Sequence, residues 1–161
     1  MDMKVASFLV NHDTMTRGVY ISRIDHVGAE VLTTFDIRMK TPNREPVLDN
    51  PAIHTLEHLM AVYLRGESGD WADKVVYIGP MGCRTGMYLI MKGALEPTDI
   101  LGLLKDMFAF AAGFDKPVPA TTSIECGNYL DHNLVFARWE AEKFLREVLE
   151  GITPEMMVYP A

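Results

Sequence analysis

Cysteine is scarce in this 161-residue chain, with Cys83 and Cys126 the only two, which excludes a scaffold stapled by several disulfides. Long apolar runs are missing as well, and nothing approaches the ~20 residues that a bilayer-crossing helix needs. The first ten residues carry one lysine and too short an apolar stretch for a secretory signal. Positive charge is in deficit: 15 Lys and Arg against 22 Asp and Glu leave a net charge of −7. That balance excludes the basic stripe of a nucleic-acid binder. No Gly-rich phosphate loop stands before a helix, so a nucleotide cofactor is not expected. The chain is therefore expected to be cytoplasmic, with neither nucleic acid nor membrane as partner. In a reducing compartment its two cysteines suit metal binding or catalysis better than one disulfide.

What is present is the composition of a folded protein, 48% hydrophobic and 23% charged. One domain spanning residues 1–161 is expected, large enough to bury a core unaided. The eleven methionines read as gap-filling core residues. Val19 to Met39 reads as β structure interrupted at Gly28. A turn-rich stretch from Thr41 to Pro51 then leads into a helix. Asn50 suits its cap, Pro51 its first position, and Gly66 its end. Lys74–Ile78 and Met87–Met91 read as two more strands, joined through a glycine-rich loop around Cys83. Pro97 opens a helix to about Gly113, with Ile100, Leu103, Leu104, Met107 and Phe108 on its apolar face. A last helix from about Asp131 to Leu149 carries Leu134, Val135, Trp139, Phe144 and Leu145. The expected class is α+β, an antiparallel β-sheet packed against helices.

Within the first helix, residues 54–58 read His-Thr-Leu-Glu-His. Spacings of three and four return to one face, so His54 and His58 can grip one divalent metal with Glu57 beside it as a proton acceptor. A catalytic metal usually has three protein ligands and one exchangeable position. Downstream candidates for the third are Glu125, Cys126 and His132. Cys126 is preferred, because a thiolate outranks an exposed carboxylate for zinc or ferrous iron and Gly127 allows close approach. Cys83 in its glycine-rich loop is a second candidate acid–base group, with Arg84 next to it as a cation favouring the thiolate.

Several segments together resemble the LuxS family, S-ribosylhomocysteine lyases. They are Ser7-Phe8 with Asn11-His12, Phe35-Asp36-Ile37-Arg38, and the helix His54-Thr55-Leu56-Glu57-His58-Leu59. Pro80-Met81-Gly82-Cys83-Arg84-Thr85-Gly86 and Glu125-Cys126-Gly127 complete the set, in the family's order and over nearly the whole chain. The resemblance implies that His54, His58 and Cys126 hold a divalent metal, typically Fe(II), with zinc or cobalt able to substitute. It implies Glu57 and Cys83 as the acid–base pair, and Ser7, His12 and Arg38 as substrate-binding residues. It also implies a homodimer whose two active sites each draw residues from both chains. The implied reaction cleaves S-ribosylhomocysteine to homocysteine and 4,5-dihydroxy-2,3-pentanedione, a precursor of autoinducer-2 in quorum sensing. Two segments depart from the family's usual pattern. Tyr77-Ile78-Gly79 stands where Asp-Ile-Ser is common, and Asn11 stands where Asp usually precedes His12. Both departures touch recognition of the amino-acid end of the substrate.

Two rival readings rest on the same helix. A metal hydrolase, peptidase or deformylase-like, would use Glu57 to activate water, but it gives Cys83 no role. A purely structural metal would need a fourth protein ligand, His132 or Glu125, to close the site.

Overall fold

The computed structural model describes residues 9–160. Four strands, β1 (Gly18–Val27), β2 (Glu30–Arg38), β3 (Val75–Pro80) and β4 (Gly86–Lys92), form one antiparallel sheet in the order β1-β2-β4-β3. The β1–β2 hairpin turns at Gly28, whose φ of +63° is the left-handed backbone that glycine adopts without strain. Three α-helices follow the pattern of the sequence: α1 (Asn50–Val62), α2 (Pro97–Gly113) and α3 (Leu134–Glu147). This is the expected α+β arrangement.

Alternation along the strands assigns the two faces of the sheet. Val19, Phe35, Ile37, Met87 and Leu89 point at the helices and are fully buried, with Phe35 opposite Leu89 and Ile37 opposite Met87. Tyr20, Asp36, Arg38 and Tyr88 lie on the other face, where Asp36 pairs with both Tyr20 and Tyr88. The expectation for methionine holds in that Met39, Met60, Met87, Met91 and Met107 all belong to the core.

Helix α1 buries Ala52, Ile53, Leu56, Leu59 and Met60 and leaves His54, Glu57 and His58 half-buried along its edge. Full burial of Leu56 and Leu59 contributes about 1.5–3 kcal/mol each, which fixes the rotation of the helix and so the direction of both imidazoles. Its ends differ from the expectation. Asp49, not Asn50, occupies the cap position, and no side chain caps the helix there. Gly66 does not stop it either: the chain continues through a wider turn, Tyr63–Glu67. Termination comes at Ser68, whose hydroxyl donates to Leu64 O (2.7 Å), followed by Gly69 at φ +60°.

Helix α2 starts as expected at Pro97 and buries the anticipated face, with Asp99 accepting from the Glu96 N–H (2.8 Å) at its entrance. Helix α3 begins three residues later than expected, because Asn133 caps it by accepting from Phe136 N (3.1 Å). Its buried stripe also differs, consisting of Ala137, Glu140, Ala141 and Phe144. Val135 and Trp139 are 77% and 52% exposed. Glu140 is tolerated in that stripe because it meets the equally buried Lys40 at 2.7 Å. No helix among the described residues is long and apolar enough to cross a membrane.

Candidate active site

Four side chains converge where the edge of α1 meets the segment after Pro117. His54, His58, Cys126 and His132 each offer a donor atom, and these atoms all lie within 4.8 Å of one another. Backbone carbonyls fix which nitrogen is offered. His54 Nδ1 lies 2.9 Å from Asp131 O and His58 Nδ1 lies 2.8 Å from Pro119 O. A carbonyl has no hydrogen to give, so both Nδ1 atoms carry theirs and both Nε2 atoms present lone pairs. His132 is locked by a different partner. Its Nδ1 sits 3.1 Å from Thr55 Oγ1, and the single hydrogen of Thr55 is already donated to Pro51 O (2.8 Å). His132 Nδ1 must therefore be the donor, and its Nε2 is again the free lone pair.

Cys126 completes the group. Its Sγ stands 3.4 Å from His54 Nε2 and faces the Asn128 N–H, also at 3.4 Å. His54 and His58, each with Nε2 turned inward, and the Cys126 sulfur form a donor set that suits a divalent cation of zinc or ferrous type, with His132 Nε2 beside them. The residues fit such an ion. Glu125 stays outside the group, its carboxylate accepting from Thr122 Oγ1 at 2.7 Å. Among the three downstream candidates the geometry thus brings in Cys126 and His132. Burial, then the charges of His54 and His58, hold the His132 pKa below its ordinary value, consistent with a neutral ring.

Glu57 is half-buried and lines a shallow depression of about 320 Å³ with His58, Ala61, Pro119, Ala120 and Glu125. Ala120 has a φ of +56°, a costly conformation for a residue with a Cβ. That turn follows directly on Pro119, whose carbonyl holds His58.

Cys83 belongs to a second set, at the β3–β4 turn and the end of β2. Its exposed sulfur lies 3.0 Å from Thr85 Oγ1 and 3.9 Å from Arg38 Nη1. Arg38 Nη1 donates to Thr85 Oγ1 at 2.6 Å, and the threonine hydroxyl has two sulfurs within reach of its one hydrogen, Cys83 Sγ and Met81 Sδ at 3.9 Å. The guanidinium near Cys83 is thus that of Arg38. The expected neighbour Arg84 turns away, donating to Leu48 O at 3.4 Å. Arg38 is itself anchored by a fork on Asp36, Nε to Oδ1 at 3.1 Å and Nη2 to Oδ2 at 2.5 Å, and both residues are buried. Tyr159 donates to Asp36 Oδ2 (2.8 Å) and stacks on Tyr20. Burial pushes the Asp36 carboxyl up from its usual range against the pull of Arg38, with the charge of His12 a weaker opposing influence. His12 itself has Nδ1 2.9 Å from Val10 O.

The structure thus sorts the expected residues into two groups. His54, His58 and Cys126 come together with Glu57 alongside, while Arg38 and Cys83 meet elsewhere. Ser7 lies outside the described residues. Cys83 has no place in the four-residue metal group. Sequence reading ranked His132 behind Cys126 and overlooked Thr55, Asp36, Thr85 and Tyr159. Of these, Thr55, Asp36 and Thr85 lie inside quoted motifs, and only pairing across the fold reveals their work.

The three unusual positions also have local explanations. Gly79 lies beneath the Tyr77 ring, so that a Cβ at 79 would collide with the phenol. The tyrosine and the glycine are therefore one coupled change. Asn11 Oδ1 accepts from Asp13 N at 3.0 Å, a bond that an aspartate would make equally well.

Comparison with known proteins gives the family. The family model for S-ribosylhomocysteinase (LuxS) matches residues 5–155. The S-ribosylhomocysteine lyase of Phocaeicola vulgatus is 53% identical over 156 residues, covering 97% of this chain and 96% of that protein. Those of Porphyromonas gingivalis and Clostridium beijerinckii are 52% and 50% identical over 157 residues, covering 98% of both chains in each case. The family match spans both the metal group and the Cys83 set, and the chain belongs to the S-ribosylhomocysteinase (LuxS) family.

Proposed function

We propose that this protein is an S-ribosylhomocysteine lyase, cutting the thioether of its substrate to release homocysteine and 4,5-dihydroxy-2,3-pentanedione. The observation that carries the reading is the convergence of three tautomer-locked imidazoles and a thiol in a chain of this family. His54, His58 and Cys126 hold the divalent cation, which we assign as Fe(II), with zinc or cobalt able to replace it. When bound, the cation supplies Lewis-acid stabilisation of negative charge on the sugar oxygens.

The remaining work falls to side chains. The C–S bond at C5 of the ribose leaves only if a carbonyl stands at C3 and makes the C4 proton acidic. The opened sugar starts as an aldehyde at C1, so the carbonyl must move twice, and each move needs a proton taken from one carbon and returned to the next. Cys83 performs these transfers as a thiolate, with the Thr85 hydroxyl and the Arg38 guanidinium facing its sulfur. Glu57 carries protons among the sugar oxygens and removes the C4 proton, whereupon homocysteine departs as the leaving group. Arg38, His12 and Ser7 bind substrate.

Cys83 and the metal group must act on the same molecule. A homodimer meets that need by placing the Cys83 set of one protomer against the metal group of its partner. The flank of the metal segment leaves Ile124, Leu130, Val135 and Phe136 uncovered, a surface suited to self-association. A cytoplasmic location suits two free thiols with working roles. The product then feeds autoinducer formation.

The test is release of free thiol from S-ribosylhomocysteine by anaerobically prepared, iron-loaded protein, with a formyl-methionyl peptide assayed in parallel. Thiol release without deformylation is expected. Peptide deformylation without thiol release would restore the hydrolase reading, which leaves Cys83 and Arg38 idle.

A further inference from the structure

His132 Nε2 is fully buried and has no hydrogen-bond partner. An orphaned lone pair in a native interior marks a group waiting for something to bind. Its direction is fixed, because Thr55 Oγ1 occupies Nδ1, and Thr55 Oγ1 is in turn tied to Pro51 O and the Asn133 N–H. The nitrogen opens onto the space shared with His54, His58 and Cys126.

Two occupants suit that lone pair, the cation itself or a hydroxyl hydrogen of the substrate. Ring geometry separates them. A metal-bound imidazole nitrogen lies about 2.0–2.1 Å from the ion, with the lone pair in the plane of the ring. His54 and His58 cross at 89°, an arrangement that lets both planes pass through one point nearby. His132 instead stacks on His54, with centroids 4.1 Å apart and planes only 24° from parallel. Two nearly parallel stacked rings do not aim in-plane lone pairs at one point about 2 Å from both.

We infer that His132 is a substrate-orienting residue: its Nε2 accepts the hydrogen of a sugar hydroxyl next to the carbonyl, beside the cation and outside its coordination. The ligand class is a polyol carbonyl compound, an open-chain sugar presenting a hydroxyl on the carbon adjacent to C=O. This deepens the lyase reading and rests on it for the identity of the sugar. The acceptor is neutral and carries no hydrogen at Nε2, so it distinguishes a hydroxyl from a carbonyl oxygen at that position. As the carbonyl migrates, the acceptor holds the hydroxyl-bearing carbon in register. Thr55, which acts only through its bond to His132 Nδ1, is the positioning residue that sets the tautomer.

Four variants test this. In His132→Ala and His132→Phe, metal content and the visible spectrum of the cobalt-substituted protein should match the wild type, while kcat falls about tenfold to a hundredfold with KM little changed. His132→Asn, which restores an acceptor oxygen, should recover much of that loss. Ring-nitrogen NMR of the zinc-loaded Cys83→Ala protein should show His132 Nε2 as a free lone-pair nitrogen that shifts on adding S-ribosylhomocysteine. Loss of metal or a changed cobalt spectrum in His132→Ala would make His132 a ligand and overturn the inference. So would kcat within threefold of wild type, or an Nε2 resonance unmoved by substrate. Absence of thiol release from the wild type would instead refute the lyase reading, and the metal, spectral and nitrogen readouts would still separate ligand from acceptor.

Discussion

The metal group and the Cys83 set are built on opposite principles. Around the metal group, neutral side chains are aimed by neutral partners: Asp131 O, Pro119 O and Thr55 Oγ1 each hold one imidazole Nδ1. The Cys83 set is held by charge, through the buried Asp36–Arg38 fork with Tyr159 beneath it. A metal cage needs undelivered lone pairs and so must hold its ligands without giving them charge. On the proposed reading Cys83 would work on carbon acids as a thiolate, and an Asp-anchored guanidinium would supply the nearby cation in one rigid orientation.

Breaking each set should therefore give different signatures. The largest effect is expected from Cys83→Ala, with turnover lowered about 10³-fold or more and metal content unchanged. Near-normal turnover would remove Cys83 from the chemistry. Cys126→Ala should cost at least about a hundredfold in metal affinity, measured by competition with a chelator, and leave the Cys83 set intact. Stoichiometric metal with an unchanged cobalt spectrum would transfer the third position to His132. Glu57→Gln should slow homocysteine release about a hundredfold and let a ketone form of the substrate accumulate, visible by carbon NMR. Release at the wild-type rate would contradict its role.

Asp36→Asn probes the charge-built set through stability. Leaving the Arg38 guanidinium buried without its partner costs about 3–5 kcal/mol, read as a lower denaturation midpoint, with metal content of the folded protein unaltered. A midpoint within error of the wild type would mean that the fork is not holding Arg38. The smallest effect concerns pH and the metal-free protein. The His132 pKa is lowered by burial and by His54 and His58, so the folded state resists protonating it. A base depressed in this way stabilises the fold above its unfolded value of about 6.5 and loses that contribution as pH falls below it. Metal-free protein should lose more Tm between about pH 7.5 and pH 5 than its His132→Asn variant. Equal losses would contradict the assignment.

Much of this was legible in the chain itself, because the strongest signals are periodic. The spacing of His54, Glu57 and His58 stands on one helix face, and alternation around Phe35 and Leu89 marks strands. Gly28 announces its hairpin. What escaped was set by one local cap and by contacts distant in sequence. Helix α3 starts at Leu134 because Asn133 caps it, and its apolar Val135 and Trp139 face outward while Glu140 is buried against Lys40. A count of apolar residues cannot see that ion pair. Likewise Arg84 adjoins Cys83 in sequence, yet Arg38, 45 positions away, is the guanidinium that reaches the sulfur. His132 was undervalued because its worth lies in a tautomer, and the tautomer depends on where Thr55 spends its single hydrogen.

The account requires the two sets to serve one substrate across a dimer. Co-expressing Cys83→Ala and Cys126→Ala chains with different tags tests this directly, because each homodimer is inactive and a mixed dimer rebuilds one complete site. Thiol release from S-ribosylhomocysteine should return to about a quarter of the wild-type rate in the random mixture. A mixture as inactive as its parents, with mixed dimers demonstrably present, would contradict it.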